Sequence, residues 1–244
     1  MKKQKRLLAA ILVALLISLS FAFTKQQHED EKFISYKADL KKDDIKLYWK
    51  DDKKQPFKSI GNLKDWLESK NEKLVFAMNG GMYKTDNAPL GLFIQDYKTI
   101  TRLNKANATG NFYLKPNGIF YITSANEPVI CTTEKFIDNG KIKYATQSGP
   151  MLVINGQILP EFKQGSSNVN IRNGVGILPG NKVIFAMSKK LINFYDFAEF
   201  FKNAGCINAL YLDGAISQTY LPEKNWLQTG GNFGVIIGAT AKKQ

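Results

Sequence analysis

The chain has 244 residues, 44% hydrophobic and 23% charged, a composition that fills a packed core and excludes a disordered chain. That length suits one substantial domain and leaves little room for a second. A formal charge of +13 favours an anionic partner or surface, although lysines that merely solvate the exterior give the same balance.

Lys2, Lys3, Lys5 and Arg6 precede an apolar run from Leu7 to Phe23, within which Ser20 and Ala22 form a small-x-small pair. This is the pattern of a secretory leader cleaved after Ala22. The run is also near the lower length limit for an uncleaved anchor. Residues 1–22 are therefore expected to be a signal peptide or N-terminal anchor, 23–31 a flexible stem, and 32–244 the functional domain. Either way the domain is exported: periplasmic, secreted or held on the outer side of the cytoplasmic membrane, where the N-terminal segment gives it a route to membrane association. Without the four leader cations the charge is about +9. Nucleic acid is disfavoured as a partner by export and by the lack of a recognisable binding module.

Phe33–Asp39 and Ile45–Trp49 alternate as half-buried strands around a turn at residues 41–44. Residues 59–69 read as a short amphipathic helix with Ile60, Leu63, Trp66 and Leu67 on one face. Leu74–Met78 is a buried strand ending in Asn79-Gly80-Gly81, where the backbone can turn sharply and approach a ligand. Residues 91–94 and 99–103 predict a hairpin; residues 112–114 and 119–122 predict another, joined through Pro116-Asn117-Gly118. Further strands are expected at 142–145, 151–154 and 174–178, with Asn155-Gly156 turning the second of these back through Gln157 and Ile158. Val183–Met187, a helix from Phe194 to Asn203 capped by Asn193 and stopped by Gly205, and Ala209–Leu212 form a strand–helix–strand unit that suggests a parallel crossover. The last strand is expected at Phe233–Gly238, after the Gly230-Gly231 bend. Many strands and two confident helices give a fold class of α+β: a single domain with a mixed, mostly antiparallel β-sheet core and a few short helices.

Function is first narrowed by exclusion. The one histidine, His28, lies in the stem, so Ser-His-Asp and Cys-His catalysis and histidine-ligated zinc are out. No P-loop, GxGxxG or CxxC motif exists, no metal site is assigned, and the sequence indicates no particular cofactor. Cys131 and Cys206 are the only cysteines, and the sequence leaves a disulfide and two buried thiols equally open. What remains is carboxylate chemistry with Asn, Arg, Ser and backbone groups holding the substrate, an inventory that suits glycoside-type hydrolysis.

Four segments place a polar side chain beside glycine at a predicted strand end: Phe76-Ala-Met-Asn79-Gly-Gly-Met-Tyr83, Ser148-Gly-Pro-Met151, Arg172-Asn-Gly-Val-Gly176 and Leu212-Asp213-Gly214-Ala-Ile-Ser217. In this order and spacing, from about Leu74 to Gly238, the chain resembles the phosphodiester glycosidase domain family. The resemblance implies hydrolysis of the bond between a sugar's anomeric carbon and a phosphodiester, with a phosphorylated or phosphodiester-linked glycan as partner. It is weakest at Ala215-Ile216, where the family's loop is glycine-rich and where alanine and isoleucine disfavour positive φ. That departure motivates an alternative, a non-catalytic envelope glycan-binding protein.

Asp213 is expected, on the family resemblance, to be the general acid/base or nucleophile, although Asp-Gly taken alone more often marks a turn with a solvated carboxylate. Burial would raise its pKa and a nearby Arg172 would lower it, and the sequence leaves the balance open. Arg172 suits a substrate phosphate through its two-pronged fork, and Asn79 a sugar hydroxyl or a water. Gly80, Gly81, Gln147, Ser148, Gly149, Gly214 and Ser217 are expected to line the substrate site. No second carboxylate stands in an equally constrained setting; Asp86, Asp96, Glu134, Glu161 and Glu199 are the candidates.

Overall fold

The computed structural model describes residues 11–12 and 31–242, so the leader and stem lie outside the described residues apart from Ile11, Leu12 and Glu31. Among the described residues no helix is long and apolar enough to cross a membrane. Three antiparallel sheets share one core, as expected for an α+β domain. The first holds six strands: β1 (Phe33–Asp39), β9 (Met151–Ile154), β10 (Gln157–Ile158), β11 (Arg172–Leu178), β12 (Lys182–Ser188) and β13 (Asn208–Gly214), in the order β1-β12-β11-β13-β9-β10. The second holds β2 (Asp44–Tyr48), β3 (Glu72–Asn79), β14 (Thr219–Leu221), β15 (Trp226–Leu227) and β16 (Ile236–Lys242), in the order β15-β14-β3-β16-β2. The third holds β4 (Phe93–Gln95), β5 (Lys98–Thr101), β6 (Gly118–Thr123), β7 (Pro128–Thr132) and β8 (Ile142–Ser148), in the order β5-β4-β8-β6-β7.

Strand alternation explains how one core serves all three sheets. Val183, Phe185 and Met187 of β12 point inward to meet Phe76 and Met78 of β3 and Phe120 of β6, while Ile184 and Ala186 point outward. Helix α2 (Phe194–Asn203) covers that outer face with Phe197, Phe200 and Phe201. Helix α1 (Ile60–Ser69) covers the second sheet, and the Ser59 hydroxyl caps it by accepting from Asn62 N at 3.1 Å. Each helix buries one apolar stripe, so both faces of the first two sheets are covered and their strands read as near-continuous apolar runs.

Three expectations change. β12 and β13 both run antiparallel to β11, so they are parallel to each other but not paired; the crossover over α2 skips one strand. Asn111–Tyr113 forms a 3-10 turn rather than a strand, and β6 pairs with β7 and β8 instead. Asn117 Nδ2 donates to Phe112 O at 3.0 Å, which uses the carbonyl a ladder would need. The final strand starts three residues later than expected, because Phe233 N donates to Lys58 O and Phe233 O accepts from Asn87 Nδ2, which takes both backbone groups away from the ladder. Cys131 and Cys206 are both free thiols.

Candidate active site

The ends of β3, β11 and β13 meet at one seam. Asn79, the last residue of β3, is fully buried and acts as a hub. Its Oδ1 accepts from Asn173 Nδ2 at 2.7 Å and from Gln218 N at 3.1 Å, and its Nδ2 donates to Asp213 Oδ2 at 3.0 Å. With both acceptor contacts made by fixed donors, the amide orientation is determined and the NH₂ must face the carboxyl. Gly214 N donates to the other oxygen, Asp213 Oδ1, at 2.7 Å. A bulge in the β11–β13 ladder brings Asn173 opposite Asp213 there.

Asp213 is 8% exposed. Burial pushes its carboxyl up to about 7 from an ordinary 3.8, against the smaller lowering effects of the Gly214 and Asn79 hydrogen bonds. A carboxyl that titrates near neutral pH can both hold and release a proton, the property that proton-transfer catalysis requires. The balance left open by the sequence is settled by burial, because Arg172 has turned away. Adjacent residues of a strand face opposite sides, so Asn173 joins the cluster and Arg172 points beneath α2. Its Nε donates to Ile192 O at 2.8 Å, its Nη2 to Asn168 O and Oδ1 at 2.8 Å each, and its Nη1 to Tyr211 Oη at 3.3 Å. The guanidinium also stacks on Phe194 at 3.7 Å. These neutral partners occupy the fork expected to hold phosphate.

The remaining residues fall into two groups. Gly80, Gly81, Gly214 and Ser217 flank the cluster. Gly80 O accepts from Thr146 Oγ1 at 2.9 Å, and a side chain on Gly81 would collide with that same hydroxyl. Ser217 Oγ donates to Asp213 O at 3.2 Å, closing the loop after β13. Gln147, Ser148 and Gly149 are spent on structure. Gln147 Oε1 accepts from Leu92 N and Asn104 N at 2.9 Å, and its Nε2 donates to Asn104 O at 2.7 Å. Ser148 Oγ donates to Leu212 O at 2.7 Å, and a Cβ on Gly149 would meet Asn117 at 2.5 Å. The carboxylates considered as a second catalytic group are placed elsewhere: Asp86 caps Ala88 N, Asp96 accepts from Tyr144 Oη, Glu134 pairs with Lys115, and Glu161 and Glu199 line separate hollows.

Sequence reasoning passed over Asn173 and Tyr83. Asn173 Oδ1 is buried with no hydrogen-bond partner among the described residues, and so is Gln218 Oε1. Burial, then the Asp213 charge, raises the Tyr83 hydroxyl, which places that ring within electrostatic reach of the carboxyl. A polar residue inside the apolar and glycine run 172–178 was the available signal for Asn173.

Fold and site together define an antiparallel α+β domain built around one buried carboxyl held by amides. Within that class the family model described as phosphodiester glycosidase matches residues 72–234, and the chain belongs to that family. A relative in Escherichia coli K12, the uncharacterized protein YigE, is 35% identical over 188 residues, covering 77% of this chain and 73% of that one. The catalytic domain of zebrafish N-acetylglucosamine-1-phosphodiester alpha-N-acetylglucosaminidase, auto-inhibited by its pro-peptide, shares the fold at TM-score 0.55 and 15% identity, covering 85% of this chain and 87% of that one. A hypothetical protein from Synechocystis does so at TM-score 0.54 and 11% identity, covering 86% and 59%.

Proposed function

We propose that the chain is an exported hydrolase that releases a sugar from a phosphodiester-linked glycan. The observation that carries this reading is the buried Asp213 carboxyl, poised near neutral pH between Asn79 Nδ2 and Gly214 N at the strand-end seam of a phosphodiester glycosidase domain. Ionised Asp213 takes a proton from a water that attacks the anomeric carbon. A C–O bond forms from that carbon to the water oxygen as the C–O bond to phosphate breaks. The phosphate departs as a monoester anion, and Asp213 returns the proton to solvent. Because phosphate leaves carrying its own charge, a second carboxyl acid is not demanded, in contrast to ordinary glycosidases.

Purified protein incubated with sugar-1-phosphodiesters is expected to release free sugar, and Asp213→Asn to lower the rate by about 10²–10⁴. No release from wild type across a broad panel of such esters refutes the reading. The glycan-binding alternative drew on the Ala215-Ile216 departure. Ala215 takes a φ of 66°, as a glycine could, and Asp213 and Gly214 keep their hydrogen bond. That geometry favours hydrolysis. For the leader, N-terminal sequencing of exported protein is expected to start at Phe23; an intact N-terminus in the membrane pellet identifies an anchor instead.

A further inference from the structure

We propose that the end of the first sheet that carries Asp213 is a membrane-docking face, with Val169, Leu191 and Ile216 as the side chains that enter the lipid surface. Four of its strands have an end there. Phe33 opens β1 opposite Ser188 at the close of β12, and Arg172 opens β11 opposite Gly214 at the close of β13. Past the ladders the chain keeps the same side-by-side order. Asn170 and Ile192 exchange backbone hydrogen bonds at 3.1 and 2.9 Å, and Ala215 N donates to Ile171 O at 3.2 Å. Ile171 and Ile192 pack against the core and fix these extensions in place. Each of the three segments exposes one large aliphatic side chain: Leu191 is 65% exposed, Ile216 41% and Val169 39%. A lone exposed aliphatic residue is ordinary, whereas one from each of three adjacent segments forms a rim that marks a contact surface.

Topology selects the partner. Lys189 N donates to Lys32 O at 2.8 Å, so the chain enters the fold at this same end. The apolar run Leu7–Phe23, near the lower length that spans a bilayer, lies just upstream. Residues 23–31 reach at most about 30 Å when fully extended, so whatever holds that run at a membrane holds this sheet end near it. Asp213 lies three strands along from β1, about 14 Å at the usual strand spacing. Lys41, in the turn after β1, is at the opposite end of that strand, roughly 20 Å away. Charge at the face is balanced: Lys32 and Lys190 line a hollow there with Asp196 and Glu199, and Asp196 accepts from Asn193 Nδ2 at 2.9 Å. The net charge of +13 draws the whole chain to an anionic leaflet, and the aliphatic rim adds a contact that salt does not screen. Docking in this pose turns the Asp213 seam toward the headgroups. It is a binding property, independent of whether Asp213 drives hydrolysis.

The full chain, labelled with an environment-sensitive fluorophore at Val169→Cys, Leu191→Cys, Ile216→Cys or Lys41→Cys, is mixed with vesicles of equal parts phosphatidylethanolamine and phosphatidylglycerol. Wild type treated with the same dye is the blank for Cys131 and Cys206. The three rim positions are expected to shift to the blue and to be quenched by brominated acyl chains, and Lys41→Cys to do neither. Quenching at Val169→Cys should persist at about 1 M salt, where the screening length is about 3 Å. Adding Leu191→Glu/Ile216→Glu to that chain should cut its quenching about tenfold, because two carboxylates oppose insertion. Leu191→Glu alone, at an exposed position, guards against a folding artefact and should show part of the loss. Equal quenching at all four positions, quenching at none, loss in salt, or no effect of the glutamates would each overturn the proposal. So would a blue shift without vesicles that grows with protein concentration, which identifies a second copy as the occupant. None of these readouts needs turnover, so a face that docks beside a site that never hydrolyses would refute the proposed function alone.

Discussion

Replacing Asp213 by asparagine should remove activity and, at alkaline pH, make the fold more stable. The carboxyl titrates at about 7 in the fold against 3.8 when unfolded. A raised folded value means the associated stability is fully present below 3.8 and is lost as pH climbs through 7. Over that interval of roughly three units, at about 1.4 kcal/mol per unit, ionisation costs the native state about 4 kcal/mol. The neutral amide of the variant escapes that cost. It incurs another, because its NH₂ would face Asn79 Nδ2, and Asn79 cannot flip while Asn173 and Gln218 hold its Oδ1. One donor–donor conflict takes back about 1–2 kcal/mol. The net expectation is a gain of about 2–3 kcal/mol at pH 8, or roughly 5–10 °C in Tm. At pH 4 the wild-type carboxyl is largely neutral, so the difference should shrink and change sign. Urea unfolding of both proteins from pH 4 to pH 9 reads this directly. If the variant is less stable by one constant amount at every pH, Asp213 is an ordinary ionised carboxylate and the reasoning fails.

Asn79→Ala removes a bond that lowers the Asp213 pKa, so the acid limb of the pH–rate profile should move to higher pH, while the broken hub costs roughly 3 kcal/mol in urea unfolding. Ala215→Gly relieves a left-handed alanine and should stabilise the protein by about 1 kcal/mol in thermal unfolding; a lower Tm would contradict the strain. Arg172→Ala strips the donors from Ile192 O and Asn168 O and should lower stability by roughly 3 kcal/mol in the same assay; an unchanged Tm would deny its place in the packing. Burial holds the Cys131 thiol up at about 11 and the Cys206 thiol at about 12, so both should react with a thiol reagent only slowly until urea is added, and fast labelling of either in the native protein would contradict its placement.

Local signals carried much of the fold. Ser59 and Asn193 announced their helices because capping is a side chain's contact with its own first turn. Asn155-Gly156 announced a hairpin because both positions need positive φ. What depends on distant partners was harder to read. Phe112 looks like strand material, yet Asn117 claims its carbonyl. Lys242 looks like a solvated tail, yet it pairs with Glu72 in the β3–β16 ladder. In the site, Asn79 and Asp213 were legible because a polar residue ending an apolar strand must find a buried partner. Arg172 was legible as important, but its neighbours Ile192, Asn168 and Phe194 come from segments that no spacing rule connects to it. Applying strand alternation at residues 172 and 173 would have turned one of the two away and promoted Asn173.

The seam at which Asn79, Asn173 and Asp213 meet also ties the three sheets together, since Thr146 fastens the third sheet to the second and Ser148 fastens it to the first. A partly assembled chain with any one sheet detached therefore holds no competent centre. On the proposed hydrolase reading, activity would appear only once all three sheets have docked, which would make turnover a gauge of complete assembly.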